Sequence, residues 1–215
     1  MAARKSPPPR GTLVLLVRHG ETPTTGKLLP GRARGLHLSE AGRAQAQAVA
    51  ERLAVLPTID AIYASPLERT KETAKPLATL RGLPVTVDKG LLEADIGEWT
   101  GMELKVAAKT PEWKAVHAYP SGFRFPGGES FPEMQQRMVG AIDRLRGAHP
   151  GGTIVLVSHA DPIKAAVAHA LGTHLDLFQR IVISPCSVTA IAYGDLGPTV
   201  LSVNSLGDLG ALKPS

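Results

Sequence analysis

Cysteine and long apolar runs are the features that this sequence has least of. Cys186 is the only cysteine among 215 residues. That scarcity excludes an internal disulfide framework and a multi-cysteine metal site, and it favours a reducing, cytoplasmic environment. The longest strongly apolar run, Leu13–Val17, is far too short to cross a bilayer. We therefore expect no membrane segment and, since no apolar run follows the basic N-terminus, no secretory signal.

Positive charge is only slightly in excess. The net charge is +5, from 24 Lys and Arg against 19 Asp and Glu. Arg4, Lys5 and Arg10 lie in the first ten residues, so the remaining chain carries only about +2, which is a weak argument for nucleic-acid binding. A small anionic substrate is the better expectation. With 43% hydrophobic and 20% charged residues, the chain has the composition of an ordinary globular domain.

Composition divides the chain into three segments. Residues 1–11 are basic and contain three consecutive prolines, which predicts a disordered lead. Residues 12–205 are long enough for one large domain. Residues 206–215 are interpreted as a flexible tail.

Strand-like and helix-like segments alternate along this domain. Strands are predicted at Thr12–Val17, Ile59–Ala64, Val85–Asp88, Thr153–Val157, Val188–Tyr193 and Val200–Val203. Helix starts are predicted at Ser39, at the capping-box pattern of Ser65 and Glu68, at the same pattern in Ser130 and Glu133, and at Asp161. Residues 89–129, with two short helices, are interpreted as an insertion over one edge of the sheet. The order predicts an α/β three-layer sandwich, a mostly parallel central sheet with helices on both faces.

Chemically capable side chains follow four of these strands. Because ligands of such sheets bind beyond the carboxyl ends of the strands, we expect these side chains to converge. They are Arg18 and His19, Arg69, Glu93, and His159. The set predicts a phosphoryl-transfer site.

Each residue type suits a step of that chemistry. Arg18 and Arg69 can each fork two N–H donors onto phosphate oxygens. A neutral His19 could attack phosphorus and form a phosphohistidine, with His159 donating to the phosphate. Glu93, when protonated, can give its proton to the leaving alkoxide and later deprotonate the attacking water.

The segment Leu16-Val17-Arg18-His19-Gly20-Glu21-Thr22 resembles the signature of the histidine phosphatase superfamily, which includes the cofactor-dependent phosphoglycerate mutases. The later blocks follow in order: residues 65–70, Glu93 in Glu-x-Asp-x-Gly-x-Trp, residues 126–130, and Ser158-His159 followed by Asp161. The resemblance implies a phosphoglycerate mutase-like fold over residues 12 to about 205. It also implies His19 as phosphoacceptor, Arg18, Arg69 and His159 as the phosphate pocket, and Glu93 as acid and base, with no cofactor.

Two positions depart from the pattern of the resembled family. Thr25 stands where many members have a phosphate-contacting asparagine, although its hydroxyl can still donate one hydrogen bond. Ala160 replaces the glycine of Ser-His-Gly, which would cost about 1 kcal/mol if its φ were positive and nothing if only its N–H were used. We keep both as candidate phosphate contacts, with Glu21 and Arg32 as candidate substrate contacts.

Alternatives remain for most of these residues. His19 and His159 could be satisfied core histidines, and Arg69 a solvated helix arginine. Asp95 and Glu98 compete with Glu93 for the acid role.

The favoured function is a metal-independent phosphatase acting on a small phosphorylated metabolite, without nucleic-acid or membrane partners. The alternatives are a phosphomutase, a catalytically silent binding protein, and a metal phosphoesterase using His159 and Asp161. The short 89–129 segment and the 126–130 motif, which is more like the phosphatase branch of the resembled family, favour hydrolysis. An exposed strand edge would suit a homodimer.

Overall fold

One six-stranded sheet forms the centre of the protein. The computed structural model describes residues 11–207, so residues 1–10 and 208–215, with most of the predicted lead and tail, lie outside the described part. The sheet order is β3-β2-β4-β1-β5-β6. The strands are β1 (Thr12–Arg18), β2 (Ala61–Ala64), β3 (Val85–Val87), β4 (Thr153–Ser158), β5 (Val188–Gly194) and β6 (Gly197–Ser205).

The sheet is parallel where the sequence predicts the site. Strands β3, β2, β4 and β1 run parallel, whereas β5 and β6 are antiparallel to their neighbours. Arg18 of β1 lies opposite Ser158 of β4, and Ala64 of β2 lies opposite Val157. The carboxyl ends of three neighbouring strands therefore meet at one edge, and the predicted mostly parallel sheet is confirmed.

Helices cover both faces of the sheet. They are α1 (Glu40–Leu53), α2 (Glu68–Arg81), α3 (Leu104–Ala107), α4 (Pro111–Ala118), α5 (Phe131–Gly147) and α6 (Ala160–Ala170). Leu15 and Val17 of β1 pack with apolar residues of α1 and α2, whereas Val14 and Leu16 pack with those of α5 and α6. This alternation follows from the two-residue period of a strand and confirms the three-layer sandwich.

Of the four predicted helix starts, two are confirmed, one is wrong, and the one at Asp161 lies one residue after the observed start of α6 at Ala160. The Ser39 side chain caps α1 by accepting from the N–H of Gly42, and Ser130 and Glu133 form a reciprocal capping box at α5. Helix α2 begins at Glu68 with Leu67 as its N-cap, and no side chain caps it. The Ser65 hydroxyl instead accepts from the N–H of Leu67 (3.4 Å) and has a second contact that is described below.

The 89–129 segment packs on helices. An apolar cluster that includes Trp99, Phe123 and Phe125 continues into Phe131 of α5 and Ala165 of α6, and it contains no strand residue. These aromatic side chains find their apolar partners on α5 and α6, whereas Leu91 at the start of the segment packs with strand residues Ile154 and Leu156. The position of the segment over one edge of the sheet stays a prediction. Within residues 11–207, no helix is both long enough and apolar enough to span a membrane.

Candidate active site

His19 follows β1 and is held by its backbone on both sides. Its N–H donates to the carbonyl of Ser158 (3.0 Å), and the N–H of Gly20 donates to Oγ1 of Thr73 (3.0 Å). Gly20 also needs to be glycine for packing, because a Cβ there would lie 2.6 Å from the carbonyl oxygen of Gly42 in α1. The first helix and the second therefore fix the loop that carries His19.

The ring of His19 presents one free lone pair. Nδ1 lies 2.7 Å from the carbonyl oxygen of Gly20. A carbonyl only accepts, so Nδ1 carries the hydrogen and Nε2 is unprotonated. Burial, reinforced by the positive charges of Arg69 and Arg18, lowers the pKa of His19 to about 3. At neutral pH this imidazole is uncharged, as a nucleophile requires.

His159 faces His19 from the N-terminus of α6. The two ring centroids lie 5.1 Å apart. Nε2 of His159 is 2.9 Å from Oγ of Ser65. Nδ1 is buried, lies 3.9 Å from Oε2 of Glu93 and has no hydrogen-bond partner among residues 11–207. Burial, followed by the charge of Arg69, holds the pKa of His159 well below its usual value.

The two predicted arginines, Arg18 and Arg69, lie beside the histidine rings, and each has one nitrogen that makes no described hydrogen bond. Arg69 is fully buried and donates to the carbonyls of Gly31 (2.8 Å) and Ala33 (3.4 Å), so its alternative interpretation as a solvated residue is wrong. Arg18 donates from Nη1 to the carbonyl of Ile183 (2.6 Å). In each, Nε is buried and has no hydrogen-bond partner in the described part of the chain. Burial lowers the pKa of both groups, whose high intrinsic basicity keeps them cationic.

The carboxyl group of Glu93 lies beside His159, with Oε2 3.9 Å from Nδ1. Burial, followed by the negative charge of Asp161, raises the pKa of Glu93 to about 7, although the N–H of Ala94 donates to its Oε1 (2.9 Å) and opposes the shift. Its competitors are engaged elsewhere. Asp95 accepts from the N–H of Gly97, and Glu98 is exposed. Glu93 is therefore the carboxyl that can carry a proton near neutral pH in this site.

The other candidate contacts have partners within the protein. Oγ1 of Thr25 accepts from the N–H of Thr22 (2.9 Å), and Oε1 of Glu21 accepts from the amide of Gln45 (2.8 Å). Their roles toward a substrate stay predictions.

Ala160 and Arg32 are placed differently. Ala160 is the first residue of α6, and the described non-glycine residues with positive φ are Cys186 and Asn204, so Ala160 is not strained in this way. Arg32 donates from three nitrogens to the carbonyl of Glu93 and to the carboxylates of two neighbouring residues, described below. Its role as a substrate contact stays a prediction, as does that of Ala160 at the phosphate.

Three residues at the site were not predicted. Ser65 follows β2 directly, and the rule that ligand sites lie beyond strand ends would have indicated it. Glu129 lies inside the 126–130 motif, where the sequence signal was a glycine turn. Arg137 lies on an amphipathic helix with no local motif. Among residues 11–207, no group of three or more His, Cys, Asp or Glu side chains is placed to hold a metal ion.

The sequence matches the histidine phosphatase superfamily (branch 1) over residues 14–206. The chain belongs to this family, as the motifs suggested. It is 33% identical over 202 residues to phosphoserine phosphatase 1 of Hydrogenobacter thermophilus, with 92% of this chain and 94% of that protein covered. It is 34% identical over 200 residues to a bifunctional protein of Mycobacterium tuberculosis, of which it spans only 55%.

Solved structures show the same fold. A mycobacterial glucosyl-3-phosphoglycerate phosphatase matches with a TM-score of 0.82 and 26% identity, covering 91% of this chain and all of that one. The protein YhfR of Bacillus stearothermophilus matches with a TM-score of 0.83 and 28% identity, covering 94% of this chain and all of that one. The phosphoglycerate mutase-like fold expected from the sequence is therefore confirmed.

Proposed function

We propose that this protein is a phosphomonoester hydrolase that transfers the phosphoryl group of a small metabolite to His19 and then to water. The observation that carries the proposal is the unprotonated Nε2 of His19 beside a set of buried donors without acceptors. These donors are Nε of Arg18, Nε of Arg69 and Nδ1 of His159. A tetrahedral dianion supplies acceptors for all three.

In the first step, Nε2 of His19 attacks phosphorus and the ester P–O bond breaks. The electron pair of that bond leaves with the alcohol oxygen, which takes the proton of Glu93. Arg18 and Arg69 stabilise the charge that develops on the equatorial oxygens, and they require no rearrangement to do so. The products of this step are the free alcohol, a phosphohistidine and an ionised Glu93.

In the second step, ionised Glu93 removes a proton from water as its oxygen attacks phosphorus. The P–N bond breaks, His19 regains its neutral lone pair, and inorganic phosphate leaves. The raised pKa of Glu93, about 7, supports both roles, because such a group exchanges its proton readily near neutral pH.

We also propose where the alcohol portion of the substrate lies. A cavity of about 200 Å³ beside Asp161 is lined by Trp99, Trp113 and other apolar side chains. Nζ of Lys164 in this cavity is already paired with Oδ1 of Asp161 (3.0 Å) and the amide oxygen of Gln179 (2.9 Å). With its cation neutralised, the cavity suits an apolar leaving group better than one that carries a carboxylate.

The test of the hydrolase proposal is covalent labelling with a ³²P phosphomonoester. The wild type should acquire an acid-labile, base-stable label and release inorganic phosphate, and His19→Ala should do neither. His169→Ala changes an exposed histidine of α6 and should retain both. Full turnover in His19→Ala would refute the phosphohistidine route.

Parallel assays with EDTA test the prediction that the enzyme needs no metal. A loss of activity that one divalent ion restores would contradict this prediction.

A phosphomutase is the alternative function, and the same experiment separates the two. If label leaves His19 for a second hydroxyl of a bound sugar acid rather than for water, the protein is a mutase. A panel of aryl, alkyl and carboxylate-bearing monoesters then tests the assigned cavity through kcat/KM. The homodimer and the cytoplasmic location stay predictions.

A further inference from the structure

Glu93 lies in a stretch of backbone that has no secondary structure of its own. Residues 92–96 connect two short 3₁₀ turns, Lys89–Leu91 and Gly97–Trp99. Neither a helix nor a strand ladder therefore fixes the carboxyl group. Its position depends on the contacts that hold this connection from outside.

Two arginines from distant parts of the chain hold the main chain of this connection. Arg137 of α5 donates from Nη1 to the carbonyls of Gly90 and Leu92 (2.9 Å each) and from Nη2 to that of Glu93 (3.3 Å). Arg32 donates from Nε to the same carbonyl of Glu93 (2.8 Å). The backbone oxygen of Glu93 therefore accepts hydrogen bonds from two guanidinium groups.

The carboxylate of Glu129 joins these arginines. It accepts from Nε and Nη2 of Arg137 (3.0 and 2.9 Å) and from Nη2 of Arg32 (2.8 Å). It also accepts from the N–H of Asp95 (2.9 Å), and the N–H of Glu129 donates to the carbonyl of Asp95 (2.8 Å). Charge-assisted and bidentate bonds of this kind are stronger than ordinary hydrogen bonds.

The loop that carries Glu129 packs closely against residues 92–96, the connection that contains Glu93. A Cβ on Gly97 would lie 2.1 Å from the carbonyl oxygen of Pro126, and one on Gly128 would lie 2.2 Å from that of Asp95. Both glycines are required for this approach. This close packing places the carboxylate of Glu129 between the guanidinium groups of Arg32 and Arg137, which would repel each other without it. Only 15% of the Glu129 side chain is exposed.

We propose that Glu129 is a positioning residue that acts through Arg32 and Arg137 to hold the carboxyl of Glu93 at the leaving-group oxygen. The proposal rests on the hydrolase function above. It explains why Arg32 commits three nitrogens to protein acceptors. It also separates Glu129 from the residues that touch phosphate, since every described hydrogen bond of its carboxylate goes to Arg32, Arg137 or the N–H of Asp95.

The experiment compares two leaving groups in Glu129→Gln. An alkyl phosphate needs a proton for its basic alkoxide, whereas p-nitrophenyl phosphate releases a stable phenolate without one. A displaced Glu93 should therefore lower kcat for the alkyl ester about 10- to 100-fold more than for the aryl ester. In a Glu93→Gln background, where no acid remains, Glu129→Gln should add no further selective loss.

Glu51→Gln is the matched control. Glu51 is exposed on α1, and the partner that its carboxylate accepts from is Gln47 of the same helix, away from the network. Its ratio of alkyl to aryl rates should equal that of the wild type. If Glu129→Gln proves too unstable to assay, Arg32→Lys tests the same link, because it keeps the charge but loses the fork, and its ratio should fall in the same direction.

Three outcomes are distinguishable. Equal losses on both esters in Glu129→Gln, or equal selective losses with and without Glu93, would overturn the positioning role. A wild type that labels His19, with selective loss in Glu93→Gln but not in Glu129→Gln, would leave the hydrolase function standing and reject only this inference. A wild type that forms no label on His19 would refute the function itself.

Discussion

Oγ of Ser65 lies 2.9 Å from Nε2 of His159, at the end of β2, and this contact determines which nitrogen of His159 carries its hydrogen. The N–H of Leu67 donates to the same hydroxyl (3.4 Å), and among residues 11–207 the hydrogen of that hydroxyl has no described acceptor other than Nε2 of His159, so we infer that it donates there. Nε2 then accepts and Nδ1 carries the hydrogen that faces the phosphate pocket. The tautomer of a histidine is set by the bond that its other nitrogen makes.

Ser65→Ala should therefore lower activity while the protein stays folded. The buried Nε2 loses its donor, which costs about 1–3 kcal/mol, and the ring is free to take the other tautomer. The measurement is kcat together with the ¹⁵N shifts of His159. Ser187→Ala is the control, since Oγ of Ser187 is buried without a hydrogen-bond partner. An unchanged His159 tautomer in Ser65→Ala would contradict the assignment.

Glu93→Gln should distinguish leaving groups. The glutamine cannot give up a proton, so alkyl phosphates should lose about 10²–10⁴-fold in rate, whereas p-nitrophenyl phosphate should lose far less. The measurement is single-turnover release of each alcohol. Glu98→Gln, at an exposed carboxyl three residues beyond Asp95, should behave as wild type. A selective loss in a variant of Asp95 or Glu98 instead would identify a different acid.

The pH dependence of kcat/KM should follow the ionisation of Glu93. Alkyl ester cleavage begins with protonated Glu93, so kcat/KM should fall as pH rises through about 7, while protonation of His19 would remove the nucleophile only near pH 3. We therefore expect an acidic optimum. In Glu93→Gln the limb near pH 7 should disappear, leaving only the ionisation of the substrate phosphate near pH 6. A wild-type rate that rises through pH 7 would contradict Glu93 as the acid.

The sequence predicted those parts of the site that depend on strand ends. Arg18 ends the buried strand β1, His19 follows it directly and His159 directly follows β4. Parallel strands place their carboxyl ends together whatever their loops do. Arg69 also converges, because it lies in the first turn of the helix after β2. Local pattern and sheet geometry were sufficient for these four.

The parts that were missed depend on contacts between distant residues. Ser65 was interpreted as a helix cap because the same hydroxyl can either cap a helix or bind a histidine. Which of the two occurs depends on where the helical backbone begins, and it begins at Glu68 with Leu67 as N-cap. Glu129 and Arg32 are separated by 97 positions. Arg137 lies on the half-buried side of an amphipathic helix, where an arginine ordinarily indicates solvent. No short-range pattern reports such a network.

The raised pKa of Glu93 also predicts a change in stability with pH. The folded state holds this proton up to a pH of about 7, whereas the unfolded state releases it at the lower value of a free glutamate. The contribution to stability is thus complete at low pH and is lost as pH rises through about 7. The loss accumulates between the pKa of a free glutamate and about 7, and it is constant above that pH.

Glu93→Gln carries no charge at any pH, so it should be more stable than wild type at pH 8.5 and show little of this advantage at pH 4.5. The gain at high pH should be on the order of 3 kcal/mol, which is the free-energy equivalent of a pKa raised from the ordinary value of a glutamate to about 7. The measurement is the free energy of unfolding by urea at both pH values, in phosphate-free buffer, since bound phosphate would stabilise the folded state. Glu98→Gln should show no such pH dependence relative to wild type. A Glu93→Gln protein that is no more stable at pH 8.5 than wild type would mean that Glu93 ionises without penalty, and the acid role assigned to it would then lack its physical basis.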